Sequence, residues 1–444
     1  MSRRRKKLPT APAQATIESL SHDGRGIAHI NGKTTFISGA LPQEIVTFVY
    51  TNQRGRFDEG KTLEVTHPNP DRVTPKCAHY SLCGGCSLQH LAEDAQITFK
   101  QNILLEQLER FGKVSPKTML PPLRGPIWGY RHKARLGVRY ILKKEVLFVG
   151  FREKENPRLL TDIKHCEILH PHLGQKIGEL RDKIDEISIK DFIPQIEVAI
   201  TQNRTALIIR HLKALTPDDE AKFIAISQQF NFDIYLQPEG VESIQLFWPK
   251  RSSELLTYEY PELNIEYEFH PNDFTQINFA INQAMVKQTL ELFELKSNDR
   301  VLDLFCGLGN FSLPMAKQAL EVIGVEGSPL MVERAKRNAK HNNISNTQFY
   351  CADLFNNNFS NTPWFAQNFA KILIDPPRSG ALEIIQQIQQ FKAKRLIYVS
   401  CNPATLARDA GELVHKQGYK LVKAGIMDMF PHTNHVESIA VFDK

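Results

Sequence analysis

The chain has 444 residues, 42% of them hydrophobic and 23% charged, with a formal net charge of +6. That length suggests two to four globular domains, and no apolar run approaches the roughly 20 residues of a membrane span. No apolar signal core follows the basic run at residues 2–7, so the expectation is a cytoplasmic protein whose mild positive charge admits nucleic acid and implies no obligate protein partner.

Residues 10–67 read as a small β domain. Short β-branched segments at 16–20, 34–37, 45–50 and 61–66 are punctuated by Gly24, Gly26, Gly32 and Gly39. Several short strands in so few residues suggest an OB-like barrel. Arg25, Lys33, Arg54, Arg56 and Lys61 lie among its turns, where they would suit an RNA backbone.

A proline-rich connector at 68–75 leads to Cys77, Cys83 and Cys86, with Gly84 and Gly85 allowing a tight bend. Seven cysteines in a chain without an export signal argue for metal binding or catalysis rather than a disulfide framework. Residues 94–112 predict one amphipathic helix, with Ile97, Leu104, Leu108 and Phe111 on its apolar face and Gly112 as its cap. It could pack on the C-terminal domain. After a second proline-rich connector, residues 130–140 alternate at strand spacing. Arg131, Lys133, Arg135 and Arg139 then share one basic face. Residues 140–260 continue as strands and helices with nothing chemically specific beyond Cys166. A central domain over 68–269 is expected.

From residue 270 to 444 strands and helices alternate, which predicts a doubly wound sheet. A strand at 301–305 runs into a glycine-rich turn, Gly307-Leu308-Gly309, and a helix at 311–319. Glu326, Asp353 and Asp375 end three further strands. Acids at successive strand ends suit a ligand with ribose, amine and base, and so point to S-adenosylmethionine rather than to a pyrophosphate cofactor. Any one of them alone could serve as a helix cap. Pro376 and Pro377 stiffen the turn after Asp375. Cys401 sits where a strand at 396–399 ends and Pro403 opens a helix. A helix N-terminus favours the thiolate, so Cys401 is the candidate nucleophile. Cys306 and Cys351 read as packing residues.

Six motifs then occur in one order: Phe274-Thr-Gln276-Ile-Asn278, Leu302-Asp-Leu-Phe305-Cys-Gly-Leu-Gly-Asn310, Gly324-Val-Glu326, Asp375-Pro-Pro-Arg378, Ser400-Cys401-Asn-Pro403 and Phe430-Pro-His432-Thr-Asn-His435-Val-Glu437. Together they resemble the RNA uracil-C5 methyltransferase family. The resemblance implies an α/β class I, Rossmann-like methyltransferase domain. It implies Cys401 as nucleophile, Glu437 as base and Asp375 as the holder of the uracil edge. For S-adenosylmethionine it implies Gln276, Phe305, Asn310, Glu326, Asp353 and Asp375. His432 and His435 flank the base, as local hydrogen-bonding groups or as a proton relay.

Residues 10–67 resemble the family's TRAM domain. Cys77, Cys83, Cys86 and Cys166 resemble the ligands of its [4Fe-4S] cluster, with zinc as the physical alternative. Both features together imply the ribosomal members, acting on uracil 1939 of 23S rRNA. Another rRNA site or a transfer RNA is the alternative substrate. A non-catalytic RNA-binding or assembly factor is the alternative class, against which the intact Cys401 and Glu437 argue.

Overall fold

The computed structural model describes residues 8–444; the basic run at 2–7 lies outside the described residues. The strands described form two six-stranded sheets, one eight-stranded sheet and a two-stranded hairpin.

The first sheet runs, from edge to edge, Ala13–Thr16, Ile45–Gln53, Phe57–His67, Lys33–Ser38, Gly26–Ile30 and Ser19–Leu20. Ile17, Ile37, Val46 and Phe48 fill its core. A Cβ on Gly60 would come within 2.5 Å of the Phe48 ring, so glycine is required there. The strand Gly26–Ile30, which turn-forming glycines conceal in the sequence, completes the sheet. Its basic side chains are less free than expected. Arg25 pairs with Asp23 and Glu59, Lys33 with Asp58 at 2.6 Å, and Arg54 with Glu59 at 3.7 Å.

The central sheet is mixed and includes Lys133–Ile141 beside Gln195–Ile200. Arg135 and Arg139 point outward as the alternation predicts, but Arg131 lies outside the strand. Lys133 is drawn inward, donating to the Asp273 carbonyl, and burial lowers its amine to about 8. Only part of the expected basic face is therefore presented.

The C-terminal sheet runs Thr347–Cys351, Glu321–Glu326, Arg300–Leu304, Lys371–Ile374, Arg395–Ser400, Glu437–Asp443, Lys420–Met427 and Thr118–Met119. Its central strands are nearly continuous apolar runs because helices cover both faces. Leu396, Ile397, Tyr398 and Val399 are all fully buried. The first five strands of that order pair in parallel, and Glu437–Asp443 is inserted antiparallel to Arg395–Ser400. Thr118–Met119 comes from the second proline-rich connector. Two residues carry too little periodicity to reveal a strand in the sequence. The helix expected at 311–319 is confined to Ser312–Ala316.

The helix Glu93–Gln107 lies against this sheet rather than apart from it. Its Lys100 is buried and donates to Asp428 at 2.6 Å and to the Phe430 carbonyl at 2.9 Å. The helix widens into a π turn at Leu108–Gly112. That turn shifts the register, so Phe111 rotates outward and is 66% exposed instead of joining the apolar face. Gly112 is a contact point rather than a cap: a Cβ there would lie 2.5 Å from the Ala407 carbonyl oxygen. Lys113, with φ +53°, closes the turn.

Candidate active site

Arg395–Ser400 is a buried strand that stops where Asn402 caps the next helix, Pro403–His415. The Asn402 side chain accepts from the Ala404 amide at 3.1 Å and donates to the Arg378 carbonyl at 2.9 Å. Thr405 also donates to the Arg378 carbonyl, at 3.2 Å. Cys401 is thus fixed from both sides, and the Asp375-Pro-Pro-Arg378 turn is tied to the same helix. Asn402, Thr405 and Arg378 are positioning groups that residue type alone did not single out.

The antiparallel register pairs Ser400 with Ser438 and Tyr398 with Ala440. Cys401 and Glu437 are the next residues beyond that last pair, and the Glu437 charge reaches the Cys401 thiol. Asp375 follows Lys371–Ile374, which pairs in parallel with Arg395–Ser400, so its carboxyl lies at the same sheet end. Neither Glu437 nor Asp375 has a side-chain hydrogen-bond partner among the described residues. Burial pushes Asp375 up to about 7. Burial, reinforced by Asp375, raises Glu437 well above the carboxylate range, with Arg378 opposing.

The same surroundings correct the expectation of a ready thiolate. Burial first, then the charges of Glu437 and Asp375, push Cys401 up to about 11. Arg378 and a backbone N–H act in the opposite direction without winning. The free site therefore holds a thiol flanked by two carboxyl groups that are reluctant to ionise together.

His435 accepts from Arg378 at its Nδ1, 3.1 Å away, and burial pushes its imidazole down to about 4. His432 lies apart from the carboxyl groups, stacked on Trp128 with ring centroids 3.9 Å apart. Its backbone N–H donates to Gln96 at 2.9 Å and its carbonyl accepts from Ser87 and Leu88 at 2.9 Å each. With φ +65°, it is a strained corner that holds the loop before Glu437.

A second group of side chains lines the carboxyl edge of the neighbouring strands. Phe305 has φ +65° and its N–H bonds the Val325 carbonyl at 2.8 Å. Gly307 has φ +55°, and a Cβ there would meet nothing within 4 Å, so the space above it is open. Glu326 accepts from the Gly307 N–H at 3.1 Å and the Ser328 N–H at 2.9 Å. Gln276 is half-buried with no side-chain hydrogen-bond partner among the described residues. Asp353 is exposed and accepts from the Phe355 N–H at 2.9 Å.

Asn310 is used differently. Its side-chain oxygen receives Tyr260 at 2.7 Å, Asn282 at 3.0 Å and Tyr258 at 3.3 Å, so it anchors the glycine turn to a tyrosine cluster. Cys306 is buried, as a packing residue should be, but Cys351 is exposed at its strand end.

Cys77, Cys83, Cys86 and Cys166 come together. All four thiols are free and line one pocket with His79, Tyr80 and Phe151. Burial raises each of them, Cys86 to about 12 and Cys166 to about 11. Among the described residues, no group of three or more His, Cys, Asp or Glu stands ready to hold a single metal ion.

The arrangement has counterparts. The family described as tRNA (Uracil-5-)-methyltransferase matches residues 253–444, and the TRAM domain matches residues 13–48. A 23S rRNA (uracil(1939)-C(5))-methyltransferase RlmD of Legionella pneumophila (strain Lens) is 54% identical over 442 residues, 99% of this chain and 98% of its own. Its namesake in Methylococcus capsulatus is 49% identical over 441 residues, 99% of each chain. Among solved structures, the Pyrococcus abyssi tRNA (uracil-54, C5)-methyltransferase in complex with S-adenosyl-L-homocysteine superimposes with a TM-score of 0.73 at 25% identity. That superposition covers 97% of this chain and 100% of the other.

Proposed function

The chain belongs to the RNA uracil-C5 methyltransferase family, and from that premise we propose that it methylates C5 of one uracil in 23S rRNA, the position numbered 1939. The observation that supports this reading is the convergence of Cys401, Glu437 and Asp375 at one end of the sheet, where both carboxyl groups act on the Cys401 thiol.

Uracil C5 is too weak a nucleophile to take a methyl group unaided. Addition of the Cys401 sulfur at C6 breaks the C5–C6 double bond, and its electron pair moves into the C4 carbonyl as an enolate. The Cys401 thiol first gives up its proton to solvent, and Arg378 favours the thiolate that forms. Asp375, near neutral pH partly protonated, can donate to the oxygen where the enolate charge gathers. S-adenosylmethionine, when bound, supplies the electrophilic methyl group that C5 takes. Glu437, acting from its ionised form with the high proton affinity that burial gives it, then removes the C5 proton, the double bond re-forms, and the C6–S bond breaks to free Cys401.

The open space over Gly307, the unpartnered Gln276 and the strand-end acids fit that methyl donor. Glu326 would take its ribose hydroxyls, Phe305 would line the pocket, and Asp353 would meet the adenine end. Asn310 would act by holding the glycine turn in place. The target uracil must leave its stack to reach Cys401, so a single-stranded or opened RNA segment is the substrate.

The four cysteines are assigned to a [4Fe-4S] cluster. The support is chemical: four free, mostly buried thiols converge, and burial disfavours their thiolates unless a cationic group joins them. The cluster would cross-link Cys166 to the loop whose Ser87 and Leu88 hold His432. In this reading residues 10–67 grip RNA, residues 68–269 carry the cluster, and residues 270–444 perform methyl transfer in the cytoplasm. No described helix is long and apolar enough to cross a membrane.

The test is methyl transfer from radiolabelled S-adenosylmethionine by the purified chain to ribosomal and transfer RNA. Label at one uracil of 23S rRNA is expected. Label in transfer RNA instead would reassign the substrate, and label in neither would overturn the reading.

A further inference from the structure

A crevice of about 260 Å³ opens beside Cys401. Neither Glu437 nor Asp375 lines it. Its walls include Arg378, Cys401 and Asn434, but also His22 from the N-terminal sheet and Gln107 from the helix Glu93–Gln107. Three otherwise separate parts of the fold therefore meet beside the nucleophile.

Both outlying residues are held in place. His22 sits in a turn closed by Ser21, whose amide donates to the Arg25 carbonyl at 2.8 Å and whose side chain donates to the same carbonyl at 2.9 Å. Gly24 of this turn has φ +81°, and a Cβ there would lie 2.8 Å from Leu88 and 3.9 Å from Asn434. The turn is thus seated on the cysteine loop and on the loop that leads to Glu437. Gln107 is the last residue before the π turn Leu108–Gly112. Such turns recur at functional sites because they displace side chains from the regular helical positions. Gly112 docks this one on the helix that begins just after Cys401, and His415 bonds the Gly112 carbonyl at 3.0 Å.

Gln107 is half-buried, and its amide has no hydrogen-bond partner among the described residues. An amide offers a donor and an acceptor side by side, the pattern that pairs with the edge of a base. His22 is exposed and offers a flat ring and a polar edge. With the target uracil between Cys401 and the two carboxyl groups, this crevice, which reaches Cys401 itself, offers room for a flanking nucleotide of the RNA. We propose that Gln107 reads the base of a nucleotide flanking the target uracil, with His22 packed against the same nucleotide. The inference rests on the functional reading above. It makes the N-terminal sheet part of target selection rather than only a basic grip.

The experiment measures initial rates of methyl transfer by the full chain. The substrates are a 23S rRNA fragment containing the target uracil and fragments changed at each flanking position in turn. Gln107→Ala and His22→Ala should raise KM for the RNA roughly ten-fold, the effect of losing one good base contact. Both should keep kcat at saturating RNA within about two-fold and leave KM for S-adenosylmethionine unchanged. Gln107→Ala should also erase discrimination among bases at one flanking position only. Gln107→Glu, which keeps size and one acceptor, should shift the preferred base at that position.

An unchanged KM for RNA in both alanine variants would overturn the proposal while leaving the functional reading intact. So would an equal loss on every RNA without altered base preference. Parent protein that methylates none of the fragments would overturn the functional reading, and this proposal with it.

Discussion

Cys401 and Glu437 each adjoin the last pair of the antiparallel ladder, Ser400 with Ser438, which brings the thiol and the carboxyl close enough to interact. The charge on Glu437 helps to push the Cys401 thiol up to about 11, and Arg378 pulls it down. The rising limb of activity with pH should therefore report the Cys401 thiolate, opposed above about pH 7 by loss of the Asp375 proton. Arg378→Met should move the rising limb of the kcat/KM profile upward by about one pH unit. A profile from that variant superimposable on the parent's would exclude Arg378 from this role.

Asp375 tests the electrostatics from the side of stability. Its carboxyl is raised from 3.8 to about 7 when folded, so the folded state binds its proton more tightly than the unfolded chain. Below about pH 4 both states are protonated and the burial of this group costs little. From there to about pH 7 the unfolded chain ionises first, and stability is lost as pH rises. Asp375→Asn removes that loss. It should add roughly 1–3 kcal/mol of stability at pH 8 and little at pH 4, with methyl transfer reduced at least 100-fold. Thermal melts at the two pH values check the sign, and equal gains at both would refute it.

Lys100 and Asp428 form a buried ion pair at 2.6 Å, and Lys100 also holds the Phe430 carbonyl of the loop before Glu437. Lys100→Met leaves Asp428 buried without its cation. The expected cost is about 3–5 kcal/mol, whereas replacing both partners together with apolar residues should cost less. Urea unfolding of the single and double variants decides the matter. A double variant at least as unstable as the single would contradict it.

The four converging cysteines predict about four iron and four sulfide per chain in anaerobically purified protein. Cys86→Ser should lose the iron and, through Ser87 and Leu88, loosen the hold on His432. Faster hydrogen exchange in residues 430–437 would register that loosening. Colourless protein carrying one zinc ion would assign the four thiols to a different metal.

Four of the five parallel strands of the C-terminal sheet were legible because each is a short apolar run leading to a chemically distinct residue: Phe305, Glu326, Asp375 or Cys401. The motif order named the family from those endings. What the sequence hid depends on contacts between distant segments. Thr118–Met119 is a strand only because Lys420–Met427 offers it an edge. Phe111 matches the apolar period but is turned outward by a π turn that Gly112 makes possible against Ala407. Arg25 and Lys33 of the N-terminal sheet looked free because Glu59 and Asp58, which pair with them, lie on a strand distant in sequence. The Cys401 thiol looked activated because a helix N-terminus is visible in sequence, whereas the two carboxyl groups opposing it converge only in three dimensions.

The central claim is that Cys401 bonds to C6 of the target uracil and that Glu437 is needed to release it. The most direct measurement is peptide mapping by mass spectrometry of the Glu437→Gln protein after reaction with S-adenosylmethionine and the 23S rRNA fragment. A stable RNA adduct on the peptide containing Cys401, carrying a methylated uracil, is the predicted result. Normal turnover without an adduct, or an adduct on any other residue, would contradict the account.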